Sequence, residues 1–145
     1  MSLREWVRNG WFTTHRSSAE ETKNLLGLAD RDLQACQLKG LHSDWRFAIA
    51  YNAALQAATA ALAAAGFRTS QESHHYRVIH SLELTIRADS KLVQKFDAFR
   101  KKRNAMSYDL GGAISDKETA EMAELARALR SEVARWIRAE HPELL

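Results

Sequence analysis

Residue types suited to anion chemistry are concentrated in one segment, residues 96–109, which reads FDAFRKKRNAMSYD. Arg100, Lys101, Lys102 and Arg103 follow one another, Asn104 comes next, and Ser107, Tyr108 and Asp109 close the group. Guanidinium and ammonium groups attract phosphate or carboxylate, and the hydroxyl and amide groups can add hydrogen bonds to the same anion. On a helix, Arg103 and Ser107 share a face, as do Asn104 and Tyr108, because each pair is four apart. Arg103 and Tyr108 are offset by about 140° and can still line one cleft set between those faces, for instance at a twofold interface. Asp109 is placed to pair with a guanidinium of a neighbouring helix or chain.

The surrounding apolar residues make Arg103 conspicuous. Leu92, Phe96, Phe99, Met106 and Leu110 recur at spacings of four and three, with a gap at 103. That is the periodicity of one helix face. A guanidinium in line with core positions is costly to bury without compensation. A structural arginine, balanced by a carboxylate or by backbone carbonyls, therefore stands beside a functional one.

The elements that must position this segment are all helical in pattern. Pro142 is the only proline, and the six glycines fall mainly at segment ends, which permits long helices and gives no support to a β-rich fold. Residues 1–16 carry Leu3, Trp6, Val7, Trp11 and Phe12 and are expected to form a docking arm bent at Gly10. Ser18 with Glu21, or Ser17 with Glu20, opens a helix with Leu26, Ala29, Leu33 and Cys36 on one face, ending near Gly40. Ser43 or Asp44 caps a second helix reaching about Gly66. Phe47, Tyr51, Leu55, Ala58 and Leu62 form its large-residue face, and its alanines allow close approach of neighbours, so it is expected at the centre. Its polar line, Asn52, Gln56 and Thr59, is expected to face solvent or a wet groove.

Thr69 with Glu72 opens a third helix with Tyr76, Ile79, Leu82 and Ile86 inward. Asp89 caps the fourth, which carries the basic segment and stops at Gly111-Gly112. Ser115 with Glu118 caps a last helix bearing Met122, Leu125, Leu129, Val133 and Trp136, running to about Ala139. The pattern predicts an all-α fold, an up-and-down antiparallel bundle of about five helices. It forms one domain over 1–145, with the arm at 1–16 and the bundle at 17–139.

Composition narrows the function. With 145 residues, 46% hydrophobic and 27% charged, the chain has globular composition. The run from Phe47 to Phe67 is too alanine-rich and too interrupted to be read as a membrane span, and no signal-peptide pattern is seen. A single cysteine, Cys36, excludes an internal disulfide and fits a cytoplasmic protein. In its apolar stripe it reads as an inert thiol.

The formal charge of +3 is uneven. Seven basic residues face three aspartates between Arg87 and Asp109, whereas six acids and five bases balance between Ser115 and Glu140. Such a patch attracts an anion or nucleic acid, or is a solvated helix face. No phosphate-binding glycine loop, HExxH, CxxC or GxSxG occurs. His74, His75 and His80 match no common metal spacing and read as surface or structural histidines. The carboxylates read as scattered over helix surfaces. No metal or cofactor is implied.

Two features together resemble the HEPN superfamily of small helical bundles. One is the run DWRFAIAYNAALQAA, Asp44 to Ala58; the other is Arg103-Asn104 near the end of the fourth helix, followed by a polar aromatic position and a turn. The resemblance covers residues 17–138. It implies a motif arginine at Arg103, with Asn104 as the polar residue after it. In active members an arginine and a histidine four to six residues on form a metal-independent ribonuclease site, commonly across a homodimer. Here Ser107, Tyr108 and Asp109 occupy the histidine's place, and no histidine follows before His141. Tyrosine, with an ordinary pKa near 10, is a poor general base at neutral pH.

Three functions remain open. The first is a non-catalytic binding module that holds RNA, a nucleotide phosphate or a partner protein through Arg100–Asp109. The second is an endoribonuclease of toxin–antitoxin type in which Arg103 and Tyr108 carry catalysis. The third is a helical interaction protein in which Arg103 only knits a core or a dimer. The resemblance also implies a homodimer and a nucleotidyltransferase or antitoxin as partner, and the weak hydropathy of residues 47–67 implies no membrane role.

Overall fold

The computed structural model describes residues 2–70, 74–108 and 114–145, with the backbone alone at 106–108. The architecture is all-α with one small ribbon: α1 (Leu3–Arg8), β1 (Phe12–Thr14), α2 (Ala19–Ala35), α3 (Ser43–Ala64), β2 (Phe67–Thr69), α4 (His74–Ser81), α5 (Ser90–Tyr108) and α6 (Asp116–Glu140). A 3-10 turn at Pro142–Leu144 follows.

The helix starts follow local chemistry. Ser18 accepts a hydrogen bond from the Glu21 amide at 3.1 Å, satisfying a donor that the first turn of α2 leaves open. The Glu21 carboxylate does not complete a capping box, because it holds His15 instead, at 2.9 Å. Ser115 and Glu118 do form the full box at the start of α6. The Asp89 carboxylate accepts from the Lys91 amide at 2.8 Å, just ahead of α5. At α3 the cap is His42, whose ring accepts from the Asp44 amide, one residue before the expected position. The α2 helix stops at Cys36 and not near Gly40.

The α3 helix is the hub. Ala50, Ala53, Ala54, Ala57, Ala58, Ala60 and Ala61 have no exposed surface, nor do Phe47 and Tyr51. Small side chains around the helix let α2 and α6 pack closely on it, while α4 and α5 cover it less extensively. Among the described residues α3 is the one helix long and apolar enough to cross a membrane, and most of that stretch is buried inside the bundle. The polar line on α3 is half-buried: Gln56 donates to the Asp32 carboxylate of α2 at 3.1 Å, and the Thr59 hydroxyl returns to the Leu55 carbonyl.

The N-terminal segment packs on the body partly as a strand. Phe12 pairs with Thr69 and Thr14 with Phe67 in an antiparallel ribbon. The Trp6 ring lies against Trp11 and Phe12, and Phe12 against Phe67. Gly10 makes the bend, with φ +78°, in the region that glycine enters without steric cost. Gly66, at φ +100°, turns the chain from α3 into β2, and its carbonyl accepts from the His15 amide.

Two expectations about burial need correction. The third helix does not continue to Ile86: α4 ends at Ser81 and the chain turns through Leu82–Thr85. Its buried face centres on Val78, Ile79 and Leu82, which leaves Tyr76 39% exposed. Nor are all carboxylates superficial, since Asp32 and Asp97 are buried, each beside an arginine. A carboxylate with a guanidinium partner can be taken out of water where an isolated one cannot.

Candidate functional site

The α5 helix presents two different faces. Phe96 and Phe99 are buried, whereas Arg100 and Arg103 are half-buried and Lys101 and Asn104 exposed. Helical spacing brings Asp97 against its neighbours three and four residues on. Its carboxylate accepts from Arg100 Nε at 2.7 Å and lies 3.8 Å from Lys101 Nζ. His80 Nε2 from α4 is 3.7 Å from the same carboxylate. Lys102 turns away and pairs with Glu118 at the start of α6. That contact, together with the Ser115 amide, holds the Glu118 carboxyl below its ordinary range.

The arginine that interrupts the apolar stripe finds an aromatic face. Arg103 Cζ lies 5.4 Å from the centroid of the Tyr51 ring on α3, within the range of a cation–π contact. Tyr51 is fully buried, edge-on to Phe96, and its hydroxyl is 3.1 Å from His75 Nδ1 on α4. One layer out, Arg100 Cζ stands 5.4 Å from the Tyr76 ring. The Tyr76 ring stacks on His80 with centroids 4.2 Å apart. The seam between α4 and α5 therefore alternates rings and cations.

Protonation along this seam is determined chiefly by burial. Desolvation pushes the Tyr51 phenol up to about 12, against the opposing pull of Arg103 and Arg100. Desolvation also drives His75 down to about 4, helped by His74 and by the two guanidiniums. At neutral pH the pair is thus an uncharged phenol beside an uncharged imidazole. Neither is poised to exchange a proton near pH 7, where general acid–base groups work best. The groups that carry charge are Arg100, Lys101, Arg103 and the carboxylate of Asp97. Such a surface can hold an anion.

Of the residues singled out in the sequence, Arg100, Lys101 and Arg103 gather on this seam and Asn104 lies exposed beside them. Lys102 belongs to the α5–α6 contact. The backbone of α5 extends to Tyr108, but the side chains of Met106, Ser107 and Tyr108, and the whole of Asp109, Leu110, Gly111 and Gly112, lie outside the described residues. Tyr51, His75, Tyr76 and Asp97 are the additions that the sequence reading did not place at the site. For His75 and Tyr76 the signal in the sequence is the mixed run HHYR at 74–77, in which periodicity points Tyr76 inward and the histidines read as surface or structural residues. Among the described residues no group of three or more His, Cys, Asp or Glu side chains could hold a metal ion. The chain matches no family model, no curated protein and no solved structure.

Proposed function

We propose that this chain is a HEPN-like helical module that binds an anionic ligand, RNA or a nucleotide phosphate, along the α4–α5 seam without cleaving it. The observation that carries this reading is the juxtaposition of Arg100 and Arg103 with the Tyr76 and Tyr51 rings, beside a histidine that burial keeps neutral. Guanidiniums interleaved with aromatic rings suit a phosphate backbone and its bases. A histidine near 4 and a tyrosine near 12 do not suit proton transfer. The homodimer, and a nucleotidyltransferase or antitoxin partner, belong to the same proposal and rest on the sequence resemblance.

Fluorescence anisotropy with a labelled single-stranded oligoribonucleotide tests the reading. Binding is expected to weaken as salt rises, because phosphate contacts release counterions. The double variant Arg100→Ala/Lys101→Ala is expected to bind more weakly and to lower the salt slope by about two, one for each lost phosphate contact. Affinity indifferent to salt and to both substitutions would remove the proposal. The same RNA should remain intact on prolonged incubation. Cleavage that is present in the purified protein and lost in Arg103→Ala would instead establish the ribonuclease reading.

A further inference from the structure

The ion pairs of Arg130 and Arg100 use the guanidinium differently. Arg130 of α6 engages Asp30 of α2 with its fork, through Nε at 2.8 Å and Nη2 at 2.9 Å. Arg100 meets Asp97 through Nε alone, at 2.7 Å. Its two terminal nitrogens have no hydrogen-bond partner among the described residues, and neither is shut off from solvent.

The Arg100 side chain is nonetheless confined. Asp97 is buried, and among the described residues Arg100 is the one donor to its carboxylate. His80 Nε2 at 3.7 Å and Lys101 Nζ at 3.8 Å are too distant to donate. The His80 ring stacks on Tyr76 at 4.2 Å, and Arg100 Cζ stands 5.4 Å from the Tyr76 ring. Arg100, Asp97, His80 and Tyr76 thus close a circuit of contacts between α4 and α5. A long side chain loses rotamer freedom on binding a ligand, and one already held loses less. A guanidinium anchored at Nε also keeps its terminal N–H groups for two oxygens of one phosphate.

We infer that Asp97 is a positioning residue of the anion site, whose buried carboxylate holds Arg100 so that the terminal nitrogens stay available to a phosphate. The inference rests on the anion-binding function proposed above. It runs against simple electrostatics, in which a carboxylate beside the site only repels the ligand.

The test is fluorescence anisotropy with a labelled single-stranded oligoribonucleotide at one salt concentration. It compares the native protein with Asp97→Ala, Asp97→Asn, Arg100→Ala and the double variant Asp97→Ala/Arg100→Ala, after circular dichroism and urea midpoints verify folding. Asp97→Ala is expected to bind about tenfold more weakly, the scale of one charge-assisted hydrogen bond, although it removes a negative charge. Asp97→Asn keeps an oxygen that accepts from Arg100 Nε and loses the charge, so it should bind at least as tightly as the native protein. In the Arg100→Ala background, Asp97→Ala should cause no further loss, whereas damage independent of Arg100 would add to it.

Native or tighter affinity in Asp97→Ala overturns the positioning role and leaves the anion site standing. An equal loss with and without Arg100, or Asp97→Asn binding as weakly as Asp97→Ala, does the same. Should Asp97→Ala not fold, Arg100→Lys decides, because it keeps the charge without the fork or Nε. It should bind about tenfold more weakly, and native affinity there overturns the role. Failure of the native protein to bind the RNA removes the positioning role and the anion-binding function together.

Discussion

The two sides of α3 are built on opposite rules. Towards α2 and α6 it offers alanines without exposed surface, and the partner helices close onto it with polar contacts confined to a few positions such as Gln56–Asp32. Towards α4 and α5 it offers Tyr51, whose hydroxyl meets an imidazole and whose ring meets a guanidinium. One side is dominated by close apolar packing. The other keeps charged groups half-buried, where solvent screens them less and an incoming anion gains more. Stability and binding are therefore expected to separate along the two faces of a single helix.

Four measurements can break or sharpen that separation. The largest effect belongs to the packed core beneath the seam. Phe47 is fully buried and edge-on to Phe99, so Phe47→Ala should cost about 3–5 kcal/mol in urea unfolding. A cost below about 1 kcal/mol would mean that the core near α5 is as loose as the site. Next comes overpacking on the alanine side. Ala57→Leu puts extra methylenes where no surface is exposed and should lose about 1–3 kcal/mol, leaving RNA affinity per folded molecule unchanged.

The third is a pH effect confined to the seam. His75 titrates near 4 in the folded protein, against an ordinary 6.5, because burial penalises its charged form. The unfolded chain therefore takes up this proton first, and stability should fall as pH drops from about 6.5 towards 4. His74, also lowered by burial, acts in the same direction. The His75 ring is only half-buried, so after solvent screening the loss attributable to it is on the order of 1 kcal/mol. Urea midpoints at pH 7 and pH 5 measure it, and His75→Gln should reduce the difference. An equal pH dependence in native and His75→Gln protein would detach this histidine from the stability of the seam.

The smallest effect is on the outer edge. Lys101→Ala should change stability by less than about 0.5 kcal/mol, yet lower the salt slope of RNA binding by about one. A stability loss as large as that in Phe47→Ala would show that the charged face supports the fold and would erase the contrast.

How much of this was legible in the sequence depends on the distance between the interacting residues. Capping residues lie within a few positions of the amides they bind, so Ser18, Asp89 and the Ser115–Glu118 box could be read directly. The central role of α3 was likewise visible in its alanines. The ribbon was not foreseen, because Phe12 and Thr69 are far apart in the chain and each strand has three residues, too few to show an alternating pattern. The stripe that points Tyr76 inward requires a helix reaching Ile86. Once α4 stops at Ser81, the stripe loses its lower half and the ring is left at the margin.

The same division holds at the site. Sequence alone determined that an arginine interrupts an apolar stripe on α5, that basic residues crowd around it, and that Ser107, Tyr108 and Asp109 follow it with no histidine before His141. Helical periodicity is local, so those statements need no partner helix. Only the tertiary structure decided what the arginine meets. Tyr51 and His75 reach Arg103 from helices 52 and 28 residues earlier in the chain, through the packing of α3, α4 and α5. The same burial that holds those two residues there makes both poor proton carriers at neutral pH, because a charge is hard to form where water is excluded.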